Sequence, residues 1–248
     1  MRTTSCIALA LALAACGDRD VGPLDPLPPP RPPAPAAPEV VVEPSSIPEP
    51  TEAQRAMHDR YDAVAAMRRA LVRGELDVAQ AVARSIGPVA AALPAAAEPL
   101  RGLVPERAAR VAAASDIGAA SRAFGALLEG CGRCHAAAEA RWTFDTPARP
   151  GDAEGERMRR HEWAVERMWE ALVVEDHDRY DLGAAMLADA PLGEDAALAA
   201  LVAGVRASAA AGRDAPSMGA RAEAYGDVLA RCAECHRHYG ALEAAGVR

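Results

Sequence analysis

At 248 residues the chain is long enough for one or two domains, and its formal charge of −8 excludes the basic footprint of a nucleic-acid binder. Apolar residues make up 51% of it but aromatic residues only 4%. A domain built this way has few large side chains with which to offset its conformational entropy.

Taken in order, the chain starts with a segment that does not belong to the fold. Arg2 is followed by the apolar run Ile7 to Ala15, which is too short to span a bilayer and reads as the core of a signal peptide over residues 1–15. The ending Leu13-Ala14-Ala15-Cys16 resembles the lipobox of bacterial lipoproteins, which implies cleavage before Cys16 and acylation of that cysteine. A plain signal peptide is the alternative. Gly17 follows where an aspartate would oppose outer-membrane sorting, so the resemblance places the chain in the cell envelope, facing the periplasm. Residues 16–51 hold a Pro-rich stretch, Val21 to Pro50, that tends toward extended polyproline II. At about 3.1 Å per residue such a spacer reaches up to roughly 90 Å.

The remainder is an internal repeat with a shift of 101 positions. The shift superimposes Cys131-Gly-Arg-Cys134-His135 on Cys232-Ala-Glu-Cys235-His236, Phe124 on Tyr225, Gly125 on Gly226 and Leu128 on Leu229. It also pairs Met57 with Met158, Val64 with Val165, Met67 with Met168 and Leu71 with Leu172. Glu75-Leu-Asp77 matches Arg179-Tyr-Asp181 better than the residues at +101, which suggests a small gap there. The units are 52–141 and 153–248, with a joint at 142–152.

Each unit reads as four helices. The first has apolar residues at 57, 61, 64, 67 and 71 of Glu52–Arg73. The second, Glu75–Ile86, is stopped by Gly87-Pro88. The third starts near Pro105 and runs to Ala114. The fourth is capped by Asp116 and carries the first cysteine motif. The second unit repeats this at 153–175, 179–189, 194–211 and 217–244. No segment alternates as a strand does, so the fold class is all-α, with two tandem four-helix bundles.

The chemistry resides in the two Cys-X-X-Cys-His pentads. Cysteines at i and i+3 share one helical face, where both can bond one porphyrin, and the histidine at i+4 lies beside them under the iron. This is the signature of covalent c-type haem attachment. Cys131, Cys134, Cys232 and Cys235 are therefore expected to hold two haems, with His135 and His236 as proximal ligands. A porphyrin would also fill the gap that an alanine-rich core leaves. A thioredoxin-like reading lacks its βαβ context, and a zinc site would have to draw on cysteines from two separate helices.

A four-helix unit with the haem motif on its last helix resembles the class II c-type cytochromes, the cytochrome c′ and c-556 group. In the first unit the likeness rests on Met57-His58-Asp-Arg-Tyr61, Ala70-Leu-Val-Arg-Gly-Glu-Leu76 and Cys131-Gly-Arg-Cys-His135. Little chain follows either motif, so a sixth ligand has to come from upstream. In the second unit His161 shares a face with Val165, Met168 and Leu172 and is the first candidate, with Met158 second. The first unit has Arg60 at the corresponding position, which leaves His58, Met57 or no ligand. Met67 and Met168 read as core; His177 and His238 have no assigned role.

These readings lead to one expectation of function, single-electron transfer between periplasmic or membrane redox proteins by a lipid-anchored dihaem cytochrome. No small-molecule substrate, nucleic-acid partner or enzymatic constellation is evident. The alternative is a module that binds nitric oxide or carbon monoxide at an open distal site on the first haem.

Overall fold

The computed structural model describes residues 49–88, 93–140, 144, 147–151, 153–189 and 199–240. All belong to one unit, Pro48–Arg248. The expected signal segment, Cys16 and the Pro-rich stretch up to residue 48 lie outside the described residues, as do Trp142 in the joint, the expected start of the seventh helix at 194–198 and the expected end of the eighth at 241–244.

Among the described residues every regular element is helical. The first repeat unit contains α1 (Glu52–Arg73), α2 (Leu76–Ser85), α3 (Leu103–Ala112) and α4 (Ile117–Ala137). The second contains α5 (Arg157–Val174), α6 (His177–Asp189), α7 (Ala199–Arg213) and α8 (Met218–Tyr239). Short 3₁₀ turns at Glu98–Leu100 and Glu154–Glu156 precede α3 and α5. None of these helices is long and apolar enough to cross a membrane.

Local chemistry accounts for the ends. Thr51 caps α1 in a capping box, accepting from the Gln54 amide while its own amide donates to the Gln54 side chain. Asp116 caps α4 by accepting from the Ala119 amide, and Ser217, 101 positions later, does the same for α8 through Ala220. Gly74 ends α1 in the left-handed conformation, and its counterpart Glu175 adopts it too.

The helix bounds correct the expected gap. α2 begins at Leu76 and α6 at His177, again 101 apart, so the register continues unbroken through the second helix. Asp176 accepts from the Arg179 amide at the start of α6, and His177 is an exposed first helical residue there, not part of a loop.

Packing departs from two self-contained bundles. Consecutive helices touch, but α1 packs on α8 much more than on α4, and α5 packs on α4 much more than on α8. The largest helix interface joins α4 to α8, one from each unit. Its cause is a pair of glycines. A Cβ at Gly125 would lie 2.0 Å from the Ala222 carbonyl oxygen, and one at Gly226 would lie 2.7 Å from that of Ser121. Only glycine lets the two backbones cross this closely. These two contacts exchange under the 101 shift, so the units are related by an approximate twofold axis between α4 and α8.

The core follows the repeat. Met67 and Met168, Leu71 and Leu172, Phe124 and Tyr225, Leu128 and Leu229 all have no exposed surface. The joint is tied down as well, since the Trp163 indole N–H donates to the Pro147 carbonyl at 2.9 Å and Arg160 donates to the carbonyls of Gly151 and Ala153.

Candidate functional site

The motif helices carry their cysteines and histidines into two clefts. The first, with about 830 Å³ of open space, is lined by Cys131 and His135 of α4, by Met57, His58, Arg60, Tyr61 and Val64 of α1, by Phe144, and by Trp169 and Val173 of α5. The second, of about 880 Å³, is lined by Cys232 and His236 of α8, by Met158, His161, Glu162 and Val165 of α5, and by Arg68, Arg69, Val72 and Arg73 of α1. Those figures include open solvent; the cavity volumes proper are about 240 and 300 Å³, at or just below the lower end of the roughly 300–1,000 Å³ typical of small-molecule and cofactor sites.

The structure thus brings each motif histidine and its first cysteine together with the upstream candidates of the same unit. It does not bring the second cysteines to the walls: Cys134 is buried and Cys235 half-buried, and neither lines a cleft. All four are free thiols. Burial pushes the Cys131 thiol up to about 11 and that of Cys232 to about 12, with Cys235 adding to the latter. Both are protonated at neutral pH, unlike the activated thiolate of a redox enzyme. Among the described residues no three His, Cys, Asp or Glu side chains gather into a metal cage.

The two histidines are oriented by a device that crosses the units. His135 Nδ1 donates to the Val173 carbonyl of α5 at 2.9 Å, and His236 Nδ1 donates to the Val72 carbonyl of α1 at 3.1 Å. A carbonyl only accepts, so each ring carries its proton on Nδ1 and presents Nε2 as the lone-pair nitrogen. Ligating histidines commonly take their orientation and basicity from such a partner. Burial pulls the His135 pKa down, which also favours the neutral ring.

Small residues inside the motifs permit these bonds. A Cβ at Gly132 would stand 2.3 Å from the Leu172 carbonyl oxygen. Its absence lets the end of α5 approach α4 closely enough for Val173 to reach His135. The counterpart of Gly132 is Ala233, also fully buried.

Apart from the motif residues, the walls of the two clefts differ. In the second, His161 Nε2 lies 3.7 Å from Cys232 Sγ. Burial, with the neighbouring His236 second, drives its pKa down to about 4, so it is a neutral donor at pH 7. Met158 shares the cleft but is 59% exposed. In the first cleft Arg60 replaces His161, and its guanidinium donates to the Gly87 carbonyl at 2.8 Å. Met57 is half-buried and His58 exposed, and both lie on the wall.

The residues missed from sequence are those that α1 and α5 lend to the opposite unit: Val72 and Arg68, Val173 and Trp169. Val72 and Val173 stand 101 apart, a signal visible in the repeat, but nothing local tells which motif each faces. Compared with family models, curated proteins and solved structures, the chain matches none.

Proposed function

We propose that the chain is a dihaem c-type cytochrome that passes single electrons between redox partners in the cell envelope, held at a membrane by lipid on Cys16. The observation that carries this reading is the symmetric pair of Cys-X-X-Cys-His helices. Each places a carbonyl-oriented histidine and a protonated cysteine in the wall of a half-open, largely apolar cleft.

Cys131 and Cys232 on the cleft walls, with Cys134 and Cys235, which would have to turn toward them, would hold the two haems, and His135 and His236 would be their proximal ligands. When bound, haem supplies an iron that takes up or releases one electron. The chain's part is to orient, enclose and tune. Val173 and Val72 fix the imidazole tautomers, and apolar walls keep water from the buried side. His161, desolvated and neutral, is the distal ligand proposed for the second site, ahead of the exposed Met158. The likeness of each unit to class II cytochromes is part of the same proposal, with the units interlocked through α1 and α5. The acidic charge would favour weak, salt-sensitive docking with basic partners.

A second reading applies to the first cleft, because Arg60 stands where the second cleft has His161. If neither Met57 nor His58 ligates, that site would take nitric oxide or carbon monoxide. The test is a pyridine haemochrome assay with optical spectra of the oxidised and reduced protein, with and without carbon monoxide. Two haems per chain are expected, falling to one in a C131A/C134A variant; any other count in the wild-type chain would overturn the proposal. A reduced form that ignores carbon monoxide identifies electron transfer at both sites. A wild-type chain that takes up one carbon monoxide, rising to two in H161A, would assign gas binding to the first.

A further inference from the structure

We infer that Trp169 and Arg68 form the electron path between the two sites; this rests on the dihaem reading. Positions 68 and 169 are equivalents in the repeat, and they meet across the twofold axis. Trp169 is 2% exposed and lines the first cleft, whereas Arg68 lines the second. The Arg68 guanidinium carbon stands 4.1 Å from the centre of the Trp169 ring. A single side-chain contact thus joins the wall of one cleft to the wall of the other.

The contact is held from several sides. Glu166, one turn before Trp169 on α5, forms an ion pair with Arg68. Tyr61, also in the wall of the first cleft, stacks on Trp169 with ring centres 5.2 Å apart and planes within 14°. The buried Tyr225 of α8 neighbours Arg68 and interacts with it. A planar guanidinium over an indole face is a favourable contact, and the more so where water is excluded. Delocalised groups in van der Waals contact couple electron donor and acceptor better than a gap or a saturated chain does.

The step balances simply. With haem bound at both sites, one electron would pass from a ferrous iron at one site, leaving it ferric, to a ferric iron at the other, leaving it ferrous. No bond forms or breaks, no proton moves, and the indole provides orbitals without being oxidised. The competing route runs from His135 through the Val173 carbonyl and along α5 to Val165 in the second cleft, about 12 Å of helix backbone. Side-chain substitution leaves that route intact.

The experiment uses the haem-loaded full chain and compares W169L, W169F and R68M with wild type. Electron exchange between the sites is read by exchange spectroscopy of haem methyl resonances in half-reduced samples. Midpoint potentials and haem count are measured on the same proteins. The expected result is a several-fold slower exchange in W169L and R68M and near-normal exchange in W169F, each compared at the driving force set by its own measured potentials, because R68M removes a positive charge from the wall of the second cleft. Wild-type exchange in W169L with both haems present would overturn the path and assign the backbone route. A haem count other than two in the wild-type chain would overturn the dihaem reading itself, a separate result. Should W169L fail to fold, R68M decides alone. The contact has its own readout in urea unfolding, where the R68M/W169L cycle should be non-additive; strict additivity counts against it.

Discussion

Replacing Gly132 by alanine tests the packing on which the crossed histidine bonds depend. The added methyl would stand 2.3 Å from the Leu172 carbonyl oxygen, so α5 has to recede by about 1 Å to restore ordinary contact. Overpacking of this kind costs about 1–3 kcal/mol. The same displacement stretches the 2.9 Å bond from His135 to Val173, and losing it adds about 1 kcal/mol. A total near 2–4 kcal/mol corresponds to a fall in Tm of roughly 5–15 °C for a chain of this size. The assay is urea and thermal unfolding of the full chain followed by circular dichroism. Gly219→Ala is the control: it lies on the exposed side of α8 with only the Ser217 hydroxyl nearby, and should be neutral or stabilising by up to about 1 kcal/mol. If G132A unfolds within about 0.5 kcal/mol of wild type, a level that ordinary surface substitutions reach, the close approach of α4 and α5 is not what the geometry implies.

Three further outcomes are expected. His161 is neutral when folded, with a pKa near 4 against an ordinary 6.5. The unfolded chain therefore binds the extra proton, and stability of the haem-free chain is complete above pH 6.5 and falls toward pH 4. The slope should approach 1.4 kcal/mol per pH unit inside that window; His161→Phe should flatten it, and an unchanged slope in urea titrations at several pH values would refute the assignment. Asp116→Ala removes the cap of α4 and should cost about 1 kcal/mol, read as a lower urea midpoint with an unchanged m-value. Glu175 is a non-glycine residue at φ 56°, so Glu175→Gly should raise the unfolding free energy by about 0.5–1 kcal/mol, read as a higher urea midpoint, because glycine adopts that conformation without the Cβ clash.

Most of the helical architecture is legible in the sequence because it is set locally. The apolar stripe at 57, 61, 64, 67 and 71, the caps at Thr51, Asp116 and Ser217, and the Gly74 stop all act within one or two turns. Among the described residues, the helix limits read from the stripe, from Asp116 and from Gly87-Pro88 agree with the structure to within a few residues. The repeat brings the same information twice, and with it the pairing of buried residues such as Phe124 with Tyr225. The motif residues themselves were plain for a similar reason, since i, i+3 and i+4 on a helix have only one relative placement.

What the tertiary structure alone decides is which unit each first helix serves. α1 and α5 are near-copies with the same apolar face, so either cysteine-motif helix offers each of them a comparable partner. The choice is made by backbone approach at Gly125, Gly226 and Gly132, contacts between residues far apart in sequence that no helical pattern records. From that choice follow the carbonyls that orient His135 and His236, the meeting of Arg68 with Trp169, and the division of α1 and α5 between two clefts. A periodic pattern specifies which face of a helix is buried; only the packed chain specifies against what.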